Sequence, residues 1–358
     1  MVIACGGTGG HLFPGIAVAE ALRRQGHDPL LLISEKKVDA EASAKYGDLR
    51  FEVIPAIAKP PTFSPRMVPF LWRLWRTIAR CRRLLRDEKA DAVLGMGGFT
   101  SLPPVHAGHK LGLPTFIHDS NAVPGKSNVL TSKFCRKVLL GLEAARKYFP
   151  KRECEVVGTP VREELRDPRD QAAARSKFGL APDKFTVLVM GGSQGARGLN
   201  TLVCEAAEVL GDNCQFLHLA GKLDSERVEK LVGGRPHHQV LAFCSDMAEA
   251  YAAADVGICR SGASSLTEMA FLGLPGILVP YPYAADDHQT ANAKAFVEGD
   301  AAEMVQEAEL SGERLAGMVQ AMIDDPGRLA TMAAAMKSLA VADAADRIAG
   351  VVVSECRA

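Results

Sequence analysis

Two apolar runs of this chain end in the same way. Val2-Ile3-Ala4-Cys5 runs into Gly6-Gly7-Thr8-Gly9-Gly10, and Val187-Leu188-Val189-Met190 runs into Gly191-Gly192-Ser193-Gln194-Gly195-Ala196. A buried strand that stops in glycines and hands over to a helix presents backbone N–H groups at the helix's positive end. Glycine lets the backbone approach an anion closely there. Gly95-Met96-Gly97-Gly98-Phe99 is a third, less clear case. A single loop of this kind is as often a tight turn as an anion site; three after strands in one chain favour anion sites.

The rest of the pattern fits a doubly wound α/β protein. Val2–Cys5, Leu30–Ile33, Ala92–Met96, Thr115–His118 and Val138–Gly141 read as buried parallel strands, short and bounded by Gly, Pro or polar residues. A second series follows at Thr186–Met190, Gln215–Ala220, Val240–Phe243, Val256–Cys259 and Gly276–Pro280. Amphipathic stretches such as Pro14–Gln25, Leu199–Leu210 and Asp246–Ala254 lie between them and supply right-handed crossovers. A length of 358 residues favours two domains at roughly 100–200 residues each. We place the first at 1–160 and the second at 161–334, with Gly158-Thr159-Pro160-Val161-Arg162 as a hinge. The Ala-rich tail is expected to be helical and, from about 335 to 358, to pack back on the first domain.

Composition removes several function classes. With 42 basic and 42 acidic side chains there is no global field to draw in nucleic acid. Nine cysteines stand singly, without CxxC or a Cys/His cluster, which suits reduced cytosolic thiols better than disulfides or zinc. No apolar run approaches the roughly 18–20 residues of a membrane-spanning helix. The first glycine loop is a poor dinucleotide fingerprint, since Leu12 stands where the third glycine belongs, although Glu35 occupies a plausible ribose-acid position. No GxxxxGK[ST] run is present, and Asp286-Asp287 and Asp324-Asp325 read equally well as solvated or capping acids.

Taken in order, the motifs resemble the MurG family of peptidoglycan glycosyltransferases. They are Gly6-Gly7-Thr8-Gly9-Gly10-His11 with Phe13-Pro14-Gly15, Gly95 to Phe99, His118 to Asn121, Gly158 to Arg162, Gly191 to Ala196, Arg260-Ser261-Gly262-Ala263 and Asp287 to Ala293. The resemblance spans nearly the whole chain. It implies a GT-B type fold, two Rossmann-like domains facing across a cleft. It also implies inverting transfer of N-acetylglucosamine from UDP-N-acetylglucosamine to the muramoyl C4 hydroxyl of undecaprenyl-linked lipid I, giving lipid II, with no cofactor and no catalytic metal. The same two-lobe fold also serves UDP-sugar epimerases, and a non-catalytic nucleotide-sugar sensor is a third reading.

The resemblance assigns roles residue by residue. His11 and Glu268 are expected to carry the chemistry, His11 as base or as partner of the acceptor's pyrophosphate, Glu268 on the donor's ribose. A helix start lowers a histidine's pKa, which suits a base. Thr8, Gly9 and Gly10 share the surface around His11. Ala263, Ser264, Ser265, Leu266 and Thr267 line the donor pocket with backbone groups, and Cys244 presents backbone to the uracil. Ser193 and Arg162 are expected on the diphosphate, Arg162 bidentately. Gln289 and Asn292, at i and i+3 of one helix, are suited to sugar hydroxyls, with Asn121 contacting the sugar from the first lobe. Asp119-Ser120 replace the family's usual Glu-Gln, and Ser264-Ser265 its Leu-Thr. The family usually has a few more residues before the first strand, which implies an upstream start.

Between Arg66 and Arg86 lie seven arginines, no acid and both tryptophans of the chain. Phe70, Leu71, Leu74, Ile78 and Leu85 recur there at helical spacing. Such a helix suits the headgroup boundary of an anionic membrane, with Phe70, Leu71, Trp72, Trp75 and Arg76 as contacts. The expected location is therefore the cytoplasmic face of the bacterial inner membrane, as a peripheral protein. An ordinary surface helix whose stripe packs on its own sheet is the plainer alternative.

Overall fold

The computed structural model describes residues 1–36, 39–40, 44–55, 60, 64–192 and 196–357. The chain divides into two compact units, Met1–Arg162 with Val341–Ala358, and Glu163–Ala340.

The first unit is a seven-stranded parallel sheet in the order β3-β2-β1-β4-β5-β6-β7. Its strands are β1 (Val2–Ala4), β2 (Leu30–Ile33), β3 (Arg50–Val53), β4 (Val93–Gly95), β5 (Thr115–Asp119), β6 (Lys137–Leu140) and β7 (Cys154–Val156). Central strands are covered on both faces, so β1, β2, β4 and β5 are buried throughout. Helix α1 (Gly9–Arg24) starts directly after the first glycine loop, five residues ahead of Pro14, where periodicity places its beginning. Glycines at both opening positions mute the helical signal there. Helices α2 (Met67–Asp87), α3 (Leu102–Lys110) and α4 (Lys126–Thr131) complete the part used below.

The second unit has a six-stranded parallel sheet, order β10-β9-β8-β11-β12-β13. Its strands are β8 (Thr186–Met190), β9 (Gln215–Leu219), β10 (His238–Leu241), β11 (Val256–Cys259), β12 (Gly276–Leu278) and β13 (Ala302–Met304). Around it run α5 (Gln171–Lys177), α6 (Arg197–Leu210), α7 (Ser225–Val232), α8 (Met247–Ala253), α9 (Ala263–Leu272), α10 (His288–Val297), α11 (Gly312–Asp324) and α12 (Pro326–Ser338). The last helix, α13 (Ala344–Arg357), belongs to the first unit, where Ile348, Ala349 and Val352 join the core around Leu12, Ile16 and Leu31. Full burial of Ile348 and Val352 contributes about 2 kcal/mol each.

Both sheets reverse their winding direction beside the first strand of the unit, between β1 and β4 and between β8 and β11. Open α/β sheets take ligands in the crevice beyond the strand ends at such a point. Gly6 and Gly191, which follow the ends of β1 and β8, stand at these points.

Candidate functional site

In the first unit, Thr8 is the N-cap of α1 and His11 lies in its first turn, with the Thr8 hydroxyl 3.2 Å from His11 Nδ1. Gly9 and Gly10 are the first two helical residues. The imidazole packs on the loop after β4. A Cβ on Gly97 would lie 3.0 Å from the ring, and one on Gly98 3.1 Å from it. Both glycines also have positive φ, +114° and +72°, so no side chain is accommodated there without strain. Thr100 and Ser101 lace this loop to the first one: Thr100 Oγ1 donates to the Gly6 carbonyl at 2.6 Å and Ser101 Oγ contacts the Ala4 and Gly97 carbonyls.

An acid sits under the first loop. Asp39 is fully buried, and its Oδ2 accepts from Gly7 N at 2.9 Å, Ser34 N at 2.7 Å and Ser34 Oγ. Lys36 Nζ donates to the Gly7 carbonyl at 2.7 Å. Burial pushes the His11 pKa down to about 4; the Lys36 ammonium adds to this and Asp39 opposes it. His11 is therefore neutral near pH 7.

A second acid braces the loop on which the ring packs. Asn128 accepts from Gly98 N through Oδ1 at 3.1 Å and donates to Asp119 Oδ2 at 2.7 Å. Asp119, buried, accepts from Asn121 N at 2.9 Å and from its side-chain amide at 3.4 Å. Burial raises the Asp119 pKa, against the hydrogen bonds from Asn121 and Asn128. Asn121 is thus tied through Asp119 and Asn128 to the loop on which His11 rests. His118, fully buried, gives its Nε2 proton to the Gly158 carbonyl at 2.9 Å, and burial pushes its pKa down to about 4. Arg162 stacks on the Phe13 ring, 5.0 Å from its centre, close to the start of α1. Asp119, which departs from the family's residue, proves to be a structural bracket. Asp39, Asn128 and Lys36 were not singled out from sequence, because none stands in a recognisable spacing.

In the second unit, α9 begins after β11 with Gly262 as N-cap. Ala263 is its first residue, and Ser264 and Ser265 are half-buried. Leu266 is fully buried and its N–H is already held by the Gly262 carbonyl at 3.1 Å. Thr267 turns its hydroxyl back onto the Ala263 carbonyl at 2.8 Å. Glu268 is buried, and Tyr251 on α8 donates to its Oε2 at 2.9 Å. Cys244 is buried just before α8, its thiol 3.1 Å from the Asp246 carbonyl.

The paired amides on α10 brace loops. Gln289 Oε1 accepts from Tyr281 N at 2.8 Å. Asn292 is fully buried and donates to the Ser261 carbonyl at 3.1 Å, immediately before α9. Arg260 supports the same corner: it donates to the Val279 and Pro280 carbonyls at 3.1 and 3.2 Å and pairs with Glu307. Ser193 lies outside the described residues. Among the described residues no group of three or more His, Cys, Asp or Glu is placed to hold a metal ion.

The arginine-rich segment forms α2, and its apolar residues divide between two faces. Phe70, Thr77, Cys81 and Leu85 are buried, and Phe70 packs on Phe99 with ring centres 5.6 Å apart. This corrects the expectation that Phe70 is a surface contact: its position on α2 turns it inward against the loop after β4. Val68, Leu71, Trp72 and Trp75 are exposed, the last by 67%. Arg76 stacks over Trp72 at 4.6 Å. Of the seven arginines, Arg80 alone has an ion-pair partner among the described residues, Glu52 at 2.9 Å. No helix among the described residues is long and apolar enough to cross a membrane.

Comparison with known proteins gives a consistent result. Residues 1–140 match the glycosyltransferase family 28 N-terminal domain, and residues 186–348 match the C-terminal domain of that family. A UDP-N-acetylglucosamine–N-acetylmuramyl-(pentapeptide) pyrophosphoryl-undecaprenol N-acetylglucosamine transferase of Myxococcus xanthus is 37% identical, covering 99% of this chain and 92% of that protein. The protein of the same name from Geobacter sulfurreducens is also 37% identical, over 100% and 99%. The crystal structure of Acinetobacter baumannii MurG superposes with a TM-score of 0.77 at 30% identity, over 99% of each chain. A UDP-GlcNAc 2-epimerase from Neisseria meningitidis reaches 0.71 at 14% identity over 99% of each, a likeness of fold alone.

Proposed function

The chain belongs to glycosyltransferase family 28, in its MurG group, and from that premise we propose that it moves N-acetylglucosamine from UDP-N-acetylglucosamine to lipid I, yielding lipid II for peptidoglycan synthesis. One observation carries this reading: likeness to transferases of that name extends over nearly all of both units at 37% identity. The epimerase reading has only the shared fold behind it.

In this reading the second unit holds the donor. Glu268 takes the ribose hydroxyls, the opening turn of α9 faces the diphosphate, and the segment at Cys244 meets the uracil. Gln289, its oxygen occupied by Tyr281 N, offers amide protons to the transferred sugar. The first unit supplies His11. The muramoyl C4 hydroxyl attacks the anomeric carbon from the face opposite UDP, which inverts the centre, and His11 removes the hydroxyl proton. A base works best when its pKa lies near the working pH, and burial holds His11 well below that. The anionic pyrophosphate of the acceptor raises the value when it binds beside the ring, so the base comes into range with acceptor in place. Asn121 and Arg162 meet the substrates from the same unit.

The exposed tryptophans and unpaired arginines of α2 support docking on an anionic bilayer at the cytoplasmic face of the inner membrane, where an undecaprenyl-linked acceptor resides. A radiolabel transfer assay on a lipid I analogue tests the whole reading. Label from UDP-N-acetylglucosamine is expected in lipid II product; no transfer, or equal transfer from other UDP-sugars, overturns it.

A further inference from the structure

Helix α8 is short, yet it touches three parts of the second unit. Its entry is set by Asp246, which accepts from Glu249 N and whose carbonyl takes the thiol of Cys244. Glu249, buried, is held by Arg169 and Lys177, which anchors α8 to α5 and the chain just ahead of it. Tyr251 follows two residues later, which at 100° per residue turns it to the other side of the helix. There its buried hydroxyl reaches Glu268 on α9. This short helix thus connects the segment assigned to the uracil with the carboxylate assigned to the ribose.

We infer that Tyr251 is the positioning residue that makes Glu268 selective for a ribose diol. The inference rests on the assignment of Glu268 to the donor's ribose. A glutamate has several rotamers, and two adjacent hydroxyls are recognised by a carboxylate only when its plane is fixed. The phenol donates to Oε2 and is itself 3% exposed, so it cannot swing away. The anchoring of Glu249 by two cations keeps the helix that carries it from sliding. Hydrogen bonds to charged acceptors are the stronger kind, so loss of this one should be felt at the ligand.

The test compares UDP with 2′,3′-dideoxy-UDP, titrated calorimetrically into the full chain. Tyr251→Phe keeps the ring and removes only the hydroxyl; its melting temperature is measured alongside. UDP is expected to bind roughly tenfold more weakly, with the dideoxy analogue unchanged. An equal loss for both ligands, or none for UDP, overturns the inference. Glu268→Ala and Glu268→Gln are titrated in parallel. If Glu268→Ala leaves the preference for UDP over its dideoxy analogue intact, the ribose assignment falls. If it abolishes that preference while Tyr251→Phe keeps it, only the role of Tyr251 falls. Should Tyr251→Phe not fold, Lys177→Met, which loosens α8 from α5 at a distance, is expected to narrow the same preference; an unchanged preference counts against the inference.

Discussion

The two units share a winding pattern and a strand-loop-helix opening, but their first loops are treated differently. Under the first loop lies a buried carboxylate: Asp39 occupies the Gly7 N–H that a phosphate would otherwise meet. Among the described residues no carboxylate bonds the N–H groups of Gly191 or Gly192 in the second. That amide is therefore spent inside the protein, with the Lys36 ammonium on the Gly7 carbonyl beside it, and the side chain presented at the start of α1 is the His11 imidazole. A common topology has been lined differently in its two copies by one internal acid.

Mutations can break this comparison. His11→Ala should lower kcat by about 10²–10⁴-fold, the range for a general base, while UDP affinity by calorimetry is unchanged. A large loss of UDP affinity would mean that both units hold the nucleotide.

Acid should weaken both units together. Each carries two histidines pushed well below the usual value of 6.5: His11 and His118 to about 4 in the first, His218 to about 3 and His238 to about 4 in the second, burial being the main cause in all four. The second pair forms a buried chain, His238 to His218 at 3.0 Å and His218 to Asn200 at 3.1 Å. Because the folded values are lowered, the unfolded chain binds more protons below pH 6.5, and stability falls as pH drops from there toward 4. The loss by pH 5.5 is of order 1 kcal/mol for each fully buried histidine and less for half-buried His11. Urea midpoints at pH 7.5 and 5.5 check this; equal midpoints would refute it.

Glu268→Ala sharpens the comparison from the donor side, with a donor KM raised roughly tenfold and kcat less affected. An unchanged donor KM would remove Glu268 from the ribose. Last, Trp72, Trp75 and Arg76 replaced by Ala should reduce sedimentation with anionic liposomes by about 1 kcal/mol per basic residue and more for the rings, with turnover of a soluble acceptor analogue spared. Undiminished liposome binding would leave α2 as an ordinary surface helix.

The central strands were legible because burial on both faces leaves an unbroken apolar run. The strands missed, β3, β7 and β13, all lie at sheet edges, and their sequences Arg-Phe-Glu-Val, Cys-Glu-Val and Ala-Glu-Met carry charge in the middle. The fourth edge, β10, was found but placed two residues late, since His238 and Gln239 are polar. Edge strands face solvent and lose the signal that marks a core strand. His11 was readable from its place after a glycine loop. Asp39, Asn128 and Tyr251 were not, because each reaches its partner across a fold that spacing does not reveal. In α2, helical periodicity grouped Phe70 with Leu71; only the packing against Phe99 separates them.

The return of α13 to the first unit has a consequence for synthesis. The opening sheet emerges from the ribosome well before the helix that closes its core around Leu12 and Ile16, which is translated only after the whole 163–340 body. The intervening 163–340 body can assemble while that core is still open, since domains fold as units during translation. The nascent amino-terminal sheet must therefore wait with an uncovered apolar flank, a period in which a chaperone or the bilayer itself has the most to hold.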